Sequence, residues 1–349
     1  MRFYTNQHPY YCGIDLHARS MYVCVLNQEG EVLVHRNLPT TREAFEKVIA
    51  PYCAQVVVCV ECIFSWYWIA DLCCELGIAF VLGHALYMKA IHGGKTKNDK
   101  IDSQKIAALL RGGNLPMAHA YPQEHRSTRD LLRRRMYLMR HRAELLAHIQ
   151  NTNTQYNLAG FEKRIGSRSN RATLADHFEE PMVRTSIEAD VQVLDRLHEV
   201  LLMMESTVLA QAREADPVAL QLLRSIPGVG KILSLVILYE VEDVNRFAKV
   251  GNFISYARLV KCSRESAGKN SGARNSKIGN AHLKWAFSEA SVLFLKDHQA
   301  AKDWHDKLVG RYGKGKALSI IAQKLGRTVY FMLKRKEPFD PKKFFGTDA

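Results

Sequence analysis

The 349-residue sequence lacks any uninterrupted apolar run of about 18 residues, the length that a membrane-spanning helix needs. Its first residues, Met-Arg-Phe-Tyr-Thr-Asn-Gln-His-Pro, contain no apolar core of a secretion signal. Acidic residues are scarce relative to basic ones, since 35 Asp and Glu stand against 49 Lys and Arg, a net charge of +14. We therefore expect a cytoplasmic protein with no membrane partner and with a polyanionic one, for which nucleic acid is the leading candidate.

Cysteine is present but is not arranged for a metal site. Of the eight cysteines, only Cys59 and Cys62 have the Cys-x-x-Cys spacing of zinc and redox sites, and no second such pair follows. On a strand these two thiols would point to opposite faces. We expect reduced, mostly buried thiols.

Residues 1–122 have the alternating pattern of an α/β domain. Short apolar runs separated by turn residues predict strands at 11–16, 21–26, 31–35 and 78–82. The continuous run at 55–60 predicts a strand buried on both faces. Helices are predicted at 43–50 (capped by Thr40 or Thr41), at 65–76, and from the region of Asp99 to Arg111, where Gly112 and Gly113 end the pattern.

Four acids occupy special places in this pattern. Asp15 lies within the first strand, Glu61 ends the buried fourth strand, and Asp99 and Asp102 lie three residues apart at the start of a helix. In an RNase H-like sheet the first and fourth strands are neighbours and the last helix crosses over them, so the four carboxylates would converge. Such a group needs cations to stay ionised, and Mg²⁺ is the expected cofactor. For the helix start there is also a structural explanation, since acids suit the dipole of a first helical turn and Thr96 and Asp99 have the spacing of a capping box.

Residues 123–213 are predicted to form a helical connector. Seven arginines and one Asp lie between Arg126 and Arg142, which favours a phosphate-binding surface including Arg133, Arg134 and Arg135 over an ordinary solvated helix face. Apolar residues at heptad-like spacing predict a second long helix over 186–213. We expect the two helices to form an antiparallel pair, and the pair is a candidate contact for dimerisation.

Residues 214–349 are predicted to be mostly helical. Ile226-Pro-Gly-Val-Gly230 between two apolar segments has the pattern of a helix-hairpin-helix, in which Gly228, Gly230 and Lys231 would approach a phosphate. The alternative is a tight turn between helices that pack on each other.

A second basic stretch, from Arg258 to Lys284, has seven Lys or Arg and one Glu among small residues. It predicts a flexible loop that binds phosphate. Its serines, Ser263, Ser266, Ser271 and Ser276, are equal candidates for a nucleophile or for a phosphate-bonding hydroxyl.

These motifs resemble those of the insertion-sequence one-ten family of transposases, to which the pilin-gene invertases are related. The resemblance covers nearly the whole chain. The family's DEDD, RuvC-like domain is matched by Gly13-Ile-Asp15 with Leu16-His17-Ala18, by Glu61 and by Lys97-Asn-Asp99-Lys-Ile-Asp102. Its C-terminal transposase domain is matched by Leu223-Arg-Ser-Ile-Pro-Gly-Val-Gly230, Phe253-Ile-Ser-Tyr-Ala257 and Ser276-Lys-Ile-Gly-Asn280.

The resemblance implies catalytic, metal-binding acids at Asp15, Glu61, Asp99 and Asp102. It implies a nucleophilic serine before the Ser-Lys-x-Gly motif, a place taken by Ser266 after Glu265. It also implies a structured guide (bridge) RNA that pairs with donor and target DNA. Further nucleic-acid contacts are expected from Lys97, Arg264, Lys269, Arg274 and Lys277.

We therefore expect a DNA transposase or site-specific recombinase with three parts. Residues 1–122 would form the RuvC-like catalytic domain, residues 123–213 the coiled-coil connector and residues 214–349 the domain with the serine loop. Because Ser266 and Asp102 are far apart in sequence, the site would be assembled by domain closure or between protomers of a homodimer or homotetramer. The alternatives are a DNA invertase that needs no RNA and a Mg²⁺-dependent junction-resolving nuclease that uses water.

Overall fold

The computed structural model describes residues 2–92, 98–260, 263–266, 269–273, 278–296 and 298–346, with the backbone alone described in the two segments between 263 and 273. Lys97, Arg274, Ser276 and Lys277, which carried predictions, lie outside these residues. In the described part of the chain, no helix has the length and apolar content required to cross a bilayer. The chain divides into two compact units, residues 1–123 and residues 124–349.

The first unit alternates strands and helices, close to the predicted pattern. Its strands are β1 (Phe3–Tyr4), β2 (Tyr10–Leu16), β3 (Ser20–Asn27), β4 (Val32–Pro39), β5 (Val56–Glu61), β6 (Ala79–Gly83) and β7 (Leu115–Pro116). Its helices are α1 (Arg42–Ile49), α2 (Tyr67–Glu75), α3 (Ala85–His92) and α4 (Asp99–Arg111). The side chain of Thr41 caps α1 by accepting a hydrogen bond from the amide of Ala44, which confirms one of the two predicted caps.

Five of the strands form one mixed sheet in the order β4-β3-β2-β5-β6. Strand β3 is antiparallel to both β4 and β2, whereas β2, β5 and β6 run parallel to each other. Strand β5 is buried from Val56 to Val60, as the continuous apolar run predicted. The first and fourth strands of this sheet, β2 and β5, are neighbours, so the adjacency expected from the order of elements is confirmed.

Helices cover the sheet on both faces. On one face, Ile14 and Val58 pack with Phe45 of α1 and Ile69 of α2. On the other, Tyr11, Val57 and Cys59 pack against Ile106 and Leu109 of α4. Alternate residues of one strand therefore belong to different cores, which explains why β2 and β5 have no polar face except near their ends.

The described cysteines follow the expectation of free thiols. Cys12, Cys24, Cys59 and Cys73 are buried and unpaired, and burial raises the pKa of each thiol. Of the other described cysteines, Cys53 and Cys62 are partly buried and Cys74 is exposed.

The second unit is almost entirely helical. It comprises α5 (Gln123–Gln155), which begins at the boundary, α6 (Pro181–Ala215), α7 (Pro217–Arg224), α8 (Lys231–Val241), α9 (Val250–Tyr256), α10 (Ala281–Lys296), α11 (Gln299–Tyr312), α12 (Lys314–Arg335) and α13 (Pro341–Phe345). A two-stranded antiparallel hairpin, β8 (Ser263–Ser266) and β9 (Lys269–Ala273), lies between α9 and α10. The sequence predicted a loop without strands there, so the hairpin is a correction.

Helices α5 and α6 form the predicted antiparallel pair. Arg135 contacts Glu205, and His148, further along α5, contacts Asp190, earlier in α6. Buried residues of α6 recur every seven positions, at Ile187, Leu194, Leu201 and Val208, which confirms the heptad pattern.

Candidate active site

Two acids lie at the same end of the mixed sheet. Asp15 is the last residue but one of β2, and Glu61 is the last residue of β5. Parallel pairing aligns Ile14 with Val60, so the next residues of the two strands, Asp15 and Glu61, are level with each other. Level residues of neighbouring parallel strands share a face of the sheet. This is the face that α4 covers, because Tyr11, four residues before Asp15, packs against that helix.

A glycine allows α4 to lie directly on β2. A Cβ atom at Gly13 would lie 2.3 Å from the backbone nitrogen of Ala107 and 2.4 Å from the carbonyl oxygen of Ser103, so no larger residue fits. Gly13 is two residues from Asp15 and therefore shares its face. Asp99 is one helical turn before Ser103, so this close crossing carries the start of the helix toward the end of β2.

The start of α4 is fixed by two polar contacts. The side chain of Asn98 caps the helix, its Oδ1 accepting from the amide of Ile101 at 2.8 Å. The ring of His35 on β4 lies with Nε2 2.9 Å from the carbonyl oxygen of Lys100. The proposed capping box starting at Thr96 is wrong, because the helix begins two residues later than a cap at Thr96 requires. Thr96 itself lies outside the described residues. The other structural explanation, that acids suit the dipole of a first helical turn, still applies to Asp99 and Asp102.

Three side chains meet where β2 ends and α4 begins. The His17 Nε2 atom lies 3.4 Å from an oxygen of Asp15 and 3.6 Å from an oxygen of Asp99. One ligand atom from each of these three residues lies within 4.8 Å of the other two, the spacing of a metal site. Asp102 and Glu61 are outside this group of three. Asp102 lies in the first turn of α4, with one oxygen 3.6 Å from Lys105 Nζ.

The electrostatics of the cluster favour a bound cation. Burial raises the pKa of the Asp15 carboxyl, the nearby charge of His17 lowers it, and the charges of Asp99 and Asp102 raise it again. The side chain of Asp15 is 14% exposed, whereas those of His17 and Asp99 are 49% and 55% exposed, so solvent screens the charges of the latter two more strongly. Carboxylate oxygens suit hard divalent ions such as Mg²⁺, and an added imidazole also suits Mn²⁺.

His17 is a residue that sequence reasoning did not assign. The signal was available, because His17 is two residues after Asp15 and a period of two places both on one face of an extended chain. In the sequence, His17 lies beside the Asp15 motif, but only the acids were assigned as metal ligands.

The predicted serine lies near the tip of the β8–β9 hairpin. Ser266 is the last residue of β8 and pairs with Lys269, the first residue of β9. Ser263 pairs with Ala273 at the other end of the hairpin, and Ser271 is within β9. The backbone alone is described for these residues, and Arg264, like Lys269, is described only as a strand residue.

The two chain ends that flank this hairpin are held together at its base. Arg258 donates from Nε to the carbonyl oxygen of Ile278 at 3.0 Å. The amide of Asn280 donates to the carbonyl oxygen of Tyr256 at 2.6 Å. Gly279 has φ of +95°, and a Cβ there would lie 2.7 Å from that same carbonyl, so the crossing requires glycine.

A buried ion network joins this base to two long helices. The carboxylate of Glu240 on α8 accepts from Arg133 Nε at 2.6 Å, from Arg129 Nε at 3.1 Å and from Asn280 Nδ2 at 2.7 Å. Burial opposes ionisation of Glu240, but these donors outweigh it and lower the pKa of its carboxyl to about 2. Glu240 and Asn280 were not singled out from the sequence, because their partners are far away along the chain.

The arginine run on α5 is therefore partly neutralised within the unit. Arg133 pairs with Glu240, and Arg135 pairs with Glu205 at 2.8 Å. Arg134 is exposed, and its guanidinium lies 4.9 Å from the centre of the Tyr137 ring. Of the three arginines predicted to bind nucleic acid, Arg134 alone has no acidic partner among the described residues. Phosphate binding by Arg134 remains a prediction.

The turn between α7 and α8 has two glycines with different structural roles. Gly228 has φ of +78°, and a Cβ there would lie 2.5 Å from the backbone nitrogen of Phe294 on α10, so packing accounts for this glycine. Gly230 is exposed, with no atom within 4 Å of an added Cβ. Lys231 lies 3.5 Å from Glu205. The tight turn between packed helices is confirmed, and phosphate binding by this turn remains a prediction.

Comparisons with known proteins agree on one family. The DEDD transposase model of IS110 elements matches residues 12–158, and the model of the transposase IS116/IS110/IS902 family matches residues 220–305. The chain is 23% identical over 341 residues to the transposase for insertion sequence element IS1111A of Coxiella burnetii, covering 94% of this chain and 90% of that protein. It is 20% identical over 327 residues to the transposase for IS1328 of Yersinia enterocolitica, covering 91% and 95%.

Proposed function

The chain belongs to the IS110 family of transposases, and from this premise we propose that it cuts and rejoins DNA strands through a serine nucleophile and an acidic metal-binding centre. The observation that supports the centre best is the group formed by Asp15, His17 and Asp99, whose ligand atoms lie within 4.8 Å of one another. In the proposal Asp102 and Glu61 complete the acidic set. Glu61 is the last residue of β5, the strand next to β2, and Asp102 lies in the first turn of α4, which begins beside Asp15.

The residues of this centre fit a divalent cation, with Asp15, Asp99 and His17 as the groups that would hold it. The negative charges of Asp99 and Asp102 disfavour ionisation of the partly buried Asp15, and such an ion would offset this repulsion. When bound, Mg²⁺ would supply positive charge to the scissile phosphate. The other carboxylates of the set would accept the proton of the attacking hydroxyl.

The proposed nucleophile is the hydroxyl of Ser266. Its Oγ would attack phosphorus as its proton passes to a carboxylate, a P–Oγ bond would form, and the bond to a deoxyribose oxygen would break. That leaving oxygen takes up a proton. The phosphoserine link keeps the free energy of the broken bond, so a hydroxyl of another strand can reverse the reaction and join without ATP. Arg264 and Lys269 flank Ser266 along the hairpin and are proposed to stabilise the charge on the phosphate.

Trapping on a nicked DNA substrate tests the nucleophile. After cleavage the short fragment beside the nick dissociates, so a covalent protein–DNA adduct accumulates and survives denaturation. We expect the adduct with the unaltered protein and with Ser271→Ala, and none with Ser266→Ala. An adduct retained in Ser266→Ala would refute the assignment. Cleavage without any adduct would favour the junction-resolving nuclease that uses water.

We further propose that a structured RNA selects the DNA. Support comes from the family resemblance and from the net charge of +14, which suits a polyanionic partner such as RNA or DNA. Purification from the native locus followed by sequencing of bound nucleic acid tests this. Stoichiometric, nuclease-resistant RNA is expected. Full recombination by protein freed of RNA would instead support an RNA-independent invertase.

Self-association is proposed through α6. Besides its buried heptad residues, this helix has two adjacent large apolar side chains on its surface, with Leu202 52% and Met203 61% exposed. A homodimer or homotetramer would cover them. Light scattering should show a smaller assembly for Leu202→Glu combined with Met203→Glu, and an unchanged mass would contradict this contact.

A further inference from the structure

A cavity of about 530 Å³ lies in the second unit, between the later turns of α5 and residues 160–166. Its volume is within the range of roughly 300–1,000 Å³ that is typical of small-ligand sites. Three cations line it, Arg142, Lys163 and Arg164, against the single acid Glu162. The cavity is far along the chain from the residues of the proposed active site and has no part in the chemistry proposed above.

The arginines that line the cavity make no ion pair with an acid among the described residues. Arg142 donates to the carbonyl oxygen of Gly166 at 2.6 Å, and neither Arg142 nor Arg164 has a carboxylate partner among the described residues. Burial lowers the pKa of Arg142, and the guanidinium charges of Arg171 and Arg164 lower it further. Grouped cations that outnumber the neighbouring acids are an arrangement that binds an anion.

Other arginines of the same unit, in contrast, form ion pairs with acids. Arg171 is 1% exposed and forms an ion pair with Asp195 at 2.7 Å, and Arg135 forms one with Glu205 at 2.8 Å. The same helical pair therefore neutralises its structural arginines with acids. Among the described residues, the arginines that line the cavity have no such acidic partner.

A buried acceptor adds a second, independent feature. Asn153 lines the cavity and is 7% exposed. Its Nδ2 donates to the carbonyl oxygens of Leu158 and Ala159 at 3.3 and 3.1 Å, and two carbonyl partners fix which end of the amide is the donor. Its Oδ1 is buried and accepts no hydrogen bond from the described residues. A buried acceptor that receives no hydrogen bond destabilises the protein, so an N–H or O–H donor from a ligand would stabilise it.

We propose that this cavity binds an unpaired nucleotide of a nucleic-acid strand. The phosphate would contact Arg142, Arg164 and Lys163. On binding, the side chain of Asn153 would turn so that its Oδ1, buried in the free protein, accepts from an N–H of the base. The apolar wall formed by Leu146 and Phe161 suits a flat base. A free phosphate would use neither that wall nor the buried acceptor. A paired base would not enter, because its hydrogen-bonding edge is occupied. The inference rests on the proposed nucleic-acid function.

Binding of labelled oligonucleotides tests the electrostatic half of the proposal. The probes are one sequence as single-stranded RNA, as single-stranded DNA and as a duplex. Arg164→Glu, at an exposed lining position, should weaken binding of a single strand by about tenfold, the loss expected for a charge-assisted contact. Arg213→Glu, at an exposed position in the last turn of α6 that does not line the cavity, makes the same charge change and serves as the control. Equal losses in both variants, or equal losses for single strands and duplex, would refute a specific pocket.

Photo-crosslinking tests the location directly. Single strands containing 4-thiouridine or 4-thiothymidine are irradiated with the full chain, and the peptides that carry nucleotide are identified by mass spectrometry. We expect the peptide containing Phe161 to be labelled, and labelling to fall in Arg164→Glu. Comparison of the RNA and DNA probes shows which strand is bound. Absence of this peptide would overturn the inference.

These readouts are separate from strand cleavage. If the serine adduct forms and Phe161 is not labelled, the pocket is wrong and the proposed chemistry stands. If Phe161 is labelled and no adduct forms, the pocket stands and the proposed serine chemistry is wrong.

Discussion

Gly13 on β2 lies directly against Ala107 on α4, where any Cβ at position 13 would be 2.3 Å from the backbone nitrogen of Ala107. The contact is between two backbones, so no side-chain adjustment can relieve a larger residue. Asp15 is two residues after Gly13, and Asp99 lies about two helical turns before Ala107. The spacing of the candidate metal ligands therefore depends on a glycine that has no chemical role of its own.

The first prediction concerns this crossing. Gly13→Ala should displace α4, destabilise the protein by roughly 1–3 kcal/mol and weaken divalent-metal binding, because the start of the helix moves away from Asp15. Urea unfolding and metal titration measure the two effects. Gly310→Ala is the matched control, since this residue of α11 has no atom within 4 Å of an added Cβ and the change should be neutral or stabilising. Equal stability of the two variants would contradict the account.

The second prediction concerns the metal site. Asp15→Asn and Asp99→Asn should each weaken Mn²⁺ binding by about 10- to 100-fold, because each removes a charged ligand, and His17→Gln should weaken it less. Calorimetry or the paramagnetic signal of free Mn²⁺ measures the affinity. Glu289→Gln, on the exposed side of α10, is the control and should change nothing. Unchanged binding in both aspartate variants would exclude the site.

The third prediction concerns pH and Glu240. Since folding lowers the pKa of this carboxyl from 4.5 to about 2, its stabilising contribution is complete above pH 4.5 and is lost as the pH falls toward 2. The contribution is on the order of 3 kcal/mol, because one pKa unit corresponds to about 1.4 kcal/mol. Glu240→Gln should be less stable than the unaltered protein at pH 7, and the difference should shrink on acidification.

Urea unfolding between pH 7 and pH 2 measures this difference. Glu214→Gln, at an exposed position near the end of α6, is the control and should show no such trend. A stability difference for Glu240→Gln that is constant with pH would mean that the ion network is not formed as described.

The fourth prediction separates the two glycines of the α7–α8 turn. Gly228→Ala should destabilise the second unit strongly, because it clashes with the backbone of α10 and its φ of +78° is strained for alanine. Gly230→Ala should cost only a few tenths of a kcal/mol, or about 1 kcal/mol at most, because its surroundings are open. If Gly230→Ala weakens DNA binding while thermal unfolding is nearly unchanged, the turn binds phosphate. Unchanged DNA binding by Gly230→Ala would mean that the turn only connects the two helices.

Much of the first unit was predictable because its signals are local. The run that became Val56–Glu61 predicted a central strand without reference to any partner, and Asp15 and Glu61 stood out as charges in apolar strands. The two-residue strands β1 and β7 have no periodicity to detect. His17 was missed because an imidazole at a strand end has many ordinary roles.

The arginines of α5 show the opposite case. Their density along the chain suggested an open phosphate-binding face, but Arg133 bonds to an acid 107 residues away and Arg135 to one 70 residues away. No local pattern reveals such partners, because packing of distant helices decides which cations stay accessible. The same reasoning explains why the cavity beside Arg142 could not be found in the sequence.

Peptide mass spectrometry of the trapped protein–DNA adduct tests the central claim most directly. With Mg²⁺ present, a nucleotide should be attached through phosphate to Ser266, and Asp15→Asn should give no labelled peptide. Attachment to another residue, or the same attachment at full yield in Asp15→Asn, would contradict a mechanism in which this serine and the acids act on one phosphate.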